Sequence, residues 1–291
     1  MTQLVESSLR PGLLTIPREI RQSIYNLILR SDLNYTVIEV YRDIWLKSGG
    51  FATSLTHRPD DKLVVPWLNL LLTCKTINID LTAWMNSPTI LHDPAYREYV
   101  LDIDGLARGT LSCATWRRIP CSPAQVKNIT VNTRFSDDRT KRSGSLYRCK
   151  FWGNGGPMPV VRQLYQTLNL LLHNGPLLNR KSPLKQHLKL EALTVNVSAP
   201  MHHTDDPERR ILWSTAYGGV TMLVQRIETT GLLYDYIDKL CILQGDEHQE
   251  RQIQEVENAR APAHWDRYGF EWGCPCPSVE WHSPNEQESG S

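Results

Sequence analysis

Val126-Lys-Asn-Ile-Thr-Val131, then Val160-Val-Arg-Gln-Leu-Tyr-Gln-Thr-Leu-Asn-Leu-Leu-Leu-His173, then Leu188-Lys-Leu-Glu-Ala-Leu-Thr-Val-Asn-Val197 stand in this order along the chain. Their reading decides the fold. The outer two are short apolar runs that read as strands. The middle one places Val161, Leu164, Leu168 and Leu171 at three-four spacing and closes at Gly175-Pro176, which reads as a helix. Strand, helix, strand is the pattern of a right-handed crossover between parallel neighbours. Working outward, Tyr99 to Ile103 and Tyr35 to Tyr41 read as further strands, and a helical region after Pro207 takes in Leu232, Leu233, Tyr236, Ile237 and Leu240. The expectation is a mixed α/β fold in which N-terminal helices pack against an α/β body with a small sheet and crossover helices. The divisions expected are 12–92 for a helical region with an inserted strand segment, 93–245 for the body and 246–291 for a polar, disordered tail.

The N-terminal helices have their own signals. In Leu13-Leu-Thr-Ile-Pro-Arg-Glu-Ile-Arg-Gln-Ser-Ile-Tyr-Asn-Leu-Ile-Leu29, Pro17 suits the first helical position and Glu19 meets the positive end of the helix. Ile20, Ile24, Leu27 and Ile28 then follow at i, i+4, i+7, i+8, one face of a 3.6-residue period. That face must be covered either by the rest of the chain or by a partner protein. From Trp67 to Met85 a second helix repeats Leu70, Cys74, Ile77, Leu81 and Trp84, and Pro88 limits it.

These residues carry a family resemblance. The run Ile16-Pro17-x-Glu19-Ile20-Arg21-x-x-Ile24-Tyr25, followed after an insert by Leu71-Leu72-Thr73-Cys74-Lys75-x-Ile77-x-x-Asp80, resembles the F-box-like proteins of filamentous fungi. Thr115-Trp116 with Pro120, the strand from Val126, Gly153-x-Gly155-Gly156-Pro157 and Leu164-Tyr165 through Gly175-Pro176 are similar to the same family, so the likeness spans about residues 12 to 245. In F-box proteins the opening helix docks on the Skp adaptor of a cullin ubiquitin ligase and the remainder selects a substrate. The resemblance therefore implies a non-enzymatic interaction module in which Ile16, Pro17, Glu19, Ile20, Ile24, Leu27 and Ile28 meet a Skp-type adaptor. It implies an unknown protein target as second partner and no cofactor. The alternatives are a binding or regulatory protein without Skp contact and a Mg²⁺-dependent phosphatase of the haloacid-dehalogenase type.

Composition narrows the field. The 291 residues are 41% hydrophobic and 22% charged with a mean hydropathy of −0.38, the profile of a globular protein. A net charge of +1 argues against dedicated nucleic-acid binding, which needs a basic excess. Residues 1–12 hold Glu6, Arg10 and Pro11 without an apolar signal region. The best apolar run, Val64 to Leu72, is interrupted by Pro66 and Asn69, well short of the roughly 18 to 20 residues that span a bilayer. The expected location is cytoplasmic or nuclear. There the seven cysteines read as reduced thiols, with Cys74 and Cys241 as small core residues.

Four constellations bear on chemistry. Tyr99-Val-Leu-Asp102-Ile-Asp104-Gly105 looks like the strand of a haloacid-dehalogenase-type phosphatase, with Gly245-Asp246 as a faint metal-binding acid. The simpler reading is a strand ending in a solvated turn. Cys274-Pro-Cys276 with His264 and His282 offers zinc ligands, but one intervening residue is fewer than structural zinc sites favour. His202-His203 with Asp205-Asp206 reads as a polar loop. The segment 136–158, with Tyr147, Phe151 and Trp152 among its arginines, reads as a long exposed loop. The motifs of serine hydrolases, zincins and P-loops do not occur, so no catalytic residue is assigned.

Overall fold

A computed structural model describes residues 12–46, 50–57, 63–106, 110–136, 159–178, 184, 186–198, 218–221, 223, 227, 230–244, 247–256 and 272. The helices are α1 (Arg18–Leu29), α2 (Pro66–Leu71), α3 (Lys75–Met85), α4 (Pro88–Leu91) and α5 (Pro159–Asn174). The strands are β1 (Tyr35–Leu46), β2 (Gly50–His57), β3 (Glu98–Leu106), β4 (Thr110–Arg118), β5 (Asn128–Ser136), β6 (Leu190–Ser198), β7 (Ile237–Gln244) and β8 (Glu247–Gln252).

All eight strands form one sheet in the order β2-β1-β4-β3-β5-β6-β7-β8. The middle block β3, β5, β6, β7 is parallel, and antiparallel partners extend it on both sides. The expected crossover is present: β5 and β6 are parallel neighbours, with Ile129 opposite Leu193 and Val131 opposite Val195, and α5 lies between them in the chain. The class is mixed α/β, but the sheet is larger than the small one expected. β1, from the N-terminal region, pairs with β4 and joins that region to the body.

Strand alternation gives the sheet two unlike faces. Tyr99, Leu101, Ile103, Ile129, Val131, Leu193, Val195 and Val197 point into a fully buried core. Thr130, Asn132, Thr194, Asn196 and Ser198 line the opposite face, half-exposed. α5 is buried from Val160 to Leu172, polar residues included. Its Gln163 Oε1 accepts from the Leu111 amide at 2.6 Å, and the Tyr41 and Thr167 hydroxyls are 3.0 Å apart. At the centre Trp116 donates from Nε1 to the Pro176 carbonyl at 2.7 Å and meets Tyr99 edge-on.

Three expectations are corrected. The helix expected over Trp67 to Met85 is two helices, because the chain breaks at Leu72 and Thr73 and Cys74 is extended with φ −160° ahead of α3. The apolar spacing runs unbroken across that joint, which hid it. Cys74 is consequently exposed, whereas Cys241 is buried as expected. Ile237 and Leu240, read as helix, lie in β7, where Leu240 is opposite Leu193 and Ile242 opposite Val195. Short apolar runs do not distinguish helix from strand, and here sheet pairing decides. The tail boundary at 245/246 falls inside the β7–β8 hairpin. Beyond it Ile253 is buried and Trp272 packs on Tyr165, His173 and Tyr236.

Candidate functional site

Pro17 precedes α1 and caps it from outside with ψ 147° rather than occupying its first turn; the Pro17 carbonyl accepts from the amides of Ile20 and Arg21. The residues α1 turns into the core are Tyr25 and Leu29, four apart and almost fully buried, with Ile28 half-buried beside them. The expected apolar stripe is therefore divided. Ile28 belongs to the core side and Ile24 is half-buried, whereas Ile20 is 52% and Leu27 73% exposed. Ile16 is half-buried, and Pro17 and Glu19 are exposed.

α1 packs against α2 and α3, and both add exposed apolar side chains. Leu68 and Leu72 of the α2 segment and Ile79 of α3 are exposed, as are Val64 before α2 and Leu14 before α1. Seven of the ten exposed large hydrophobics among the described residues thus sit on or beside these three helices, which singles this layer out from the rest of the surface.

A polar joint fixes the layer. Asp80 Oδ2 on α3 accepts from Arg21 Nε at 2.8 Å and from the Tyr25 hydroxyl at 2.9 Å, both from α1. Arg21 Nη1 also donates to the Ile16 carbonyl at 2.9 Å, and Trp84 Nε1 donates to Asn26 Oδ1 at 3.1 Å. Burial works to raise the Asp80 carboxyl, but the hydrogen bonds from Arg21 and Tyr25 outweigh it and hold the group below the usual carboxylate range. Burial, then the Asp80 hydrogen bond, pushes the Tyr25 phenol up to about 12. Arg21 and Tyr25 belong to the run Ile16 to Tyr25 and Asp80 to the run Leu71 to Asp80, and the fold brings these two separated runs into contact. Trp67, buried, donates to the Ile119 carbonyl at 2.7 Å and anchors α2 to the body.

The polar face of the sheet has a different character. Asp102 lies mid-strand in β3 and is 3% exposed, so it is not the solvated strand end expected from Asp-x-Asp-Gly. Its Oδ2 pairs with Arg117 Nε at 2.8 Å and Arg134 Nη2 at 3.2 Å, and its Oδ1 accepts from Asn132 Nδ2 at 2.8 Å. Asp104 Oδ2 accepts from Cys113 Sγ, and burial first, then Asp104, pushes that thiol up. A phosphatase nucleophile needs a free carboxylate oxygen facing an open site. Here both oxygens of Asp102 are engaged. Sequence reading did not find Arg117 or Asn132; the signal was the parallel register Asp102, Asn132, Asn196, which is visible only once strand order is known.

The zinc candidates Cys274, Cys276, His264 and His282, the pairs His202-His203, Asp205-Asp206 and Gly245-Asp246, and the loop residues Tyr147, Phe151, Trp152 and Gly153 to Pro157 lie outside the described residues. Among the described residues no helix is long and apolar enough to cross a membrane. No family model, no curated protein and no solved structure matches this chain.

Proposed function

We propose that this chain is a non-enzymatic interaction module whose α1 to α3 layer docks on a partner protein, the Skp-type adaptor that its F-box-like resemblance implies, while the body selects a protein target. A role as substrate-recognition subunit of a cullin ubiquitin ligase, in the cytoplasm or nucleus, belongs to the same proposal. The observation that carries it is Ile20 and Leu27 standing 52% and 73% exposed on a helix tied to α3 through Asp80. Covering the exposed part of each such side chain contributes about 1 to 2 kcal/mol, and a pre-ordered helix loses little entropy on docking. Leu68, Leu72 and Ile79 on the adjoining helices are exposed as well.

The experiment is co-purification of the chain with a Skp-type adaptor, wild type against Ile20→Asp with Leu27→Asp. These two positions are chosen because they are exposed, so the variant keeps its circular dichroism spectrum and thermal midpoint while losing the adaptor. Folded wild-type protein that fails to associate at micromolar concentration removes the adaptor reading. A double variant that unfolds shows instead that the two side chains belong to the core.

A further inference from the structure

The β7–β8 hairpin carries a cluster that adaptor docking does not use. Cys241 is opposite Glu250 and Leu243 opposite His248, so the two-residue strand period projects Cys241, His248 and Glu250 from one face of the hairpin. Cys241 is also aligned with Thr194 and, through it, Thr130, which places the trio on the polar side of the sheet. One ligand atom from each of the three, the Cys241 Sγ, a His248 ring nitrogen and a Glu250 carboxylate oxygen, lies within 4.8 Å of the other two. Thr194 stands opposite Cys241 on β6, and Lys239 Nζ stands 3.4 Å from Glu250 Oε1.

We propose that Cys241, His248 and Glu250 bind a divalent d-block cation of the Zn²⁺ class. The donor set makes the choice: one sulfur, one imidazole nitrogen and one carboxylate oxygen suit zinc, whereas Mg²⁺ and Ca²⁺ take oxygen ligands throughout. Around a tetrahedral zinc such ligand atoms stand about 3.4 to 3.7 Å apart, given metal–ligand distances of about 2.0 to 2.3 Å. The trio therefore needs only a small closure. His248 and Glu250 are exposed on the outermost strand, so their side chains can make it, Glu250 by releasing Lys239, while Cys241 stays fixed in β7. Three protein ligands leave a fourth position for water. The ion takes the place that Lys239 holds beside Glu250 and ties the last strand of the sheet to its neighbour.

The test uses the full chain, reduced and stripped with chelator, loaded with one equivalent of Zn²⁺, dialysed and assayed for metal. A Co²⁺ titration in parallel reads thiolate-to-metal charge transfer in the near ultraviolet. The expected result is one ion per chain, with affinity falling at least about tenfold in His248→Ala and Cys241→Ser. His248→Ala changes an exposed side chain and keeps the fold, so a loss there is a loss of binding. A Cys274→Ser, Cys276→Ser chain serves as control and is expected to bind as the wild type does. Substoichiometric zinc in the wild type, undiminished binding in His248→Ala, or charge transfer that disappears only in the Cys274, Cys276 control each overturns the proposal.

Discussion

Replacing Asp80 with Ala removes the single acceptor that serves both Arg21 and Tyr25. The magnitude follows from where those donors sit. Tyr25 is 0% exposed, so its hydroxyl is left without a partner and without water, which costs about 1 to 3 kcal/mol. Arg21 reaches solvent and rehydrates, so the loss of its pairing adds little. Against a total stability of roughly 5 to 15 kcal/mol this is a visible fraction. Urea titration should show a lower midpoint with unchanged slope, and hydrogen exchange should place the loosening in α1 and α3. The pH dependence follows from the same contacts. Because the Asp80 carboxyl is depressed in the folded chain, its contribution is present above about pH 4 and fades as pH falls through the lower folded value. Because the Tyr25 phenol is raised to about 12, its contribution is complete below about pH 10 and is lost as pH climbs toward 12. Adding Tyr25→Phe to Asp80→Ala should recover stability, since it deletes the orphaned hydroxyl. A variant Asp80→Ala within about 0.5 kcal/mol of wild type, or no recovery on adding Tyr25→Phe, refutes the reasoning.

Trp272→Ala should lower stability by about 1 to 3 kcal/mol, because a half-buried indole meets three rings, each aromatic pair being worth about 0.5 to 1.5 kcal/mol; deleting residues 283–291 should leave the thermal midpoint unchanged within about 1 °C. Asp102→Ala should cost only about 1 to 2 kcal/mol, less than a fully buried ion pair, because Arg117 and Arg134 are 38% and 56% exposed and return to water. Phosphomonoesters with Mg²⁺ should show no turnover that Asp102→Asn abolishes. An alkylating reagent near neutral pH should modify exposed Cys74 long before buried Cys121, whose thiol burial pushes up to about 12; mass spectrometry of early time points reads the order.

Legibility in the sequence followed the range of the interaction. α1, α5, β5 and β6 were readable because caps, period and breakers are local. The α2–α3 joint was not, since Leu70, Cys74 and Ile77 keep helical spacing through a break that depends on backbone angles at Cys74. β7 was misread as helix because its strand character comes from pairing with β6, a partner about forty residues away. Cys241 was correctly placed in the interior, yet its neighbours His248 and Glu250 come from β8, in a segment read as disordered on polarity alone. An edge strand paired on one side tolerates such polarity.

The two surfaces differ in what they demand of a partner. The polar face of the sheet is largely paired within itself: Asp102 engages Arg117, Arg134 and Asn132, Arg118 pairs with Glu98, and Thr36 meets Thr115. Ile20, Leu27, Leu68, Leu72 and Ile79 have no such recourse, since water gives apolar surface nothing in exchange for its exposure. Rigidity sharpens the contrast. The Asp80 joint ties α1 to α3, and the Trp67 anchor ties α2 to the body. That exposed apolar surface is what supports the docking proposed for the helical layer and not for the sheet.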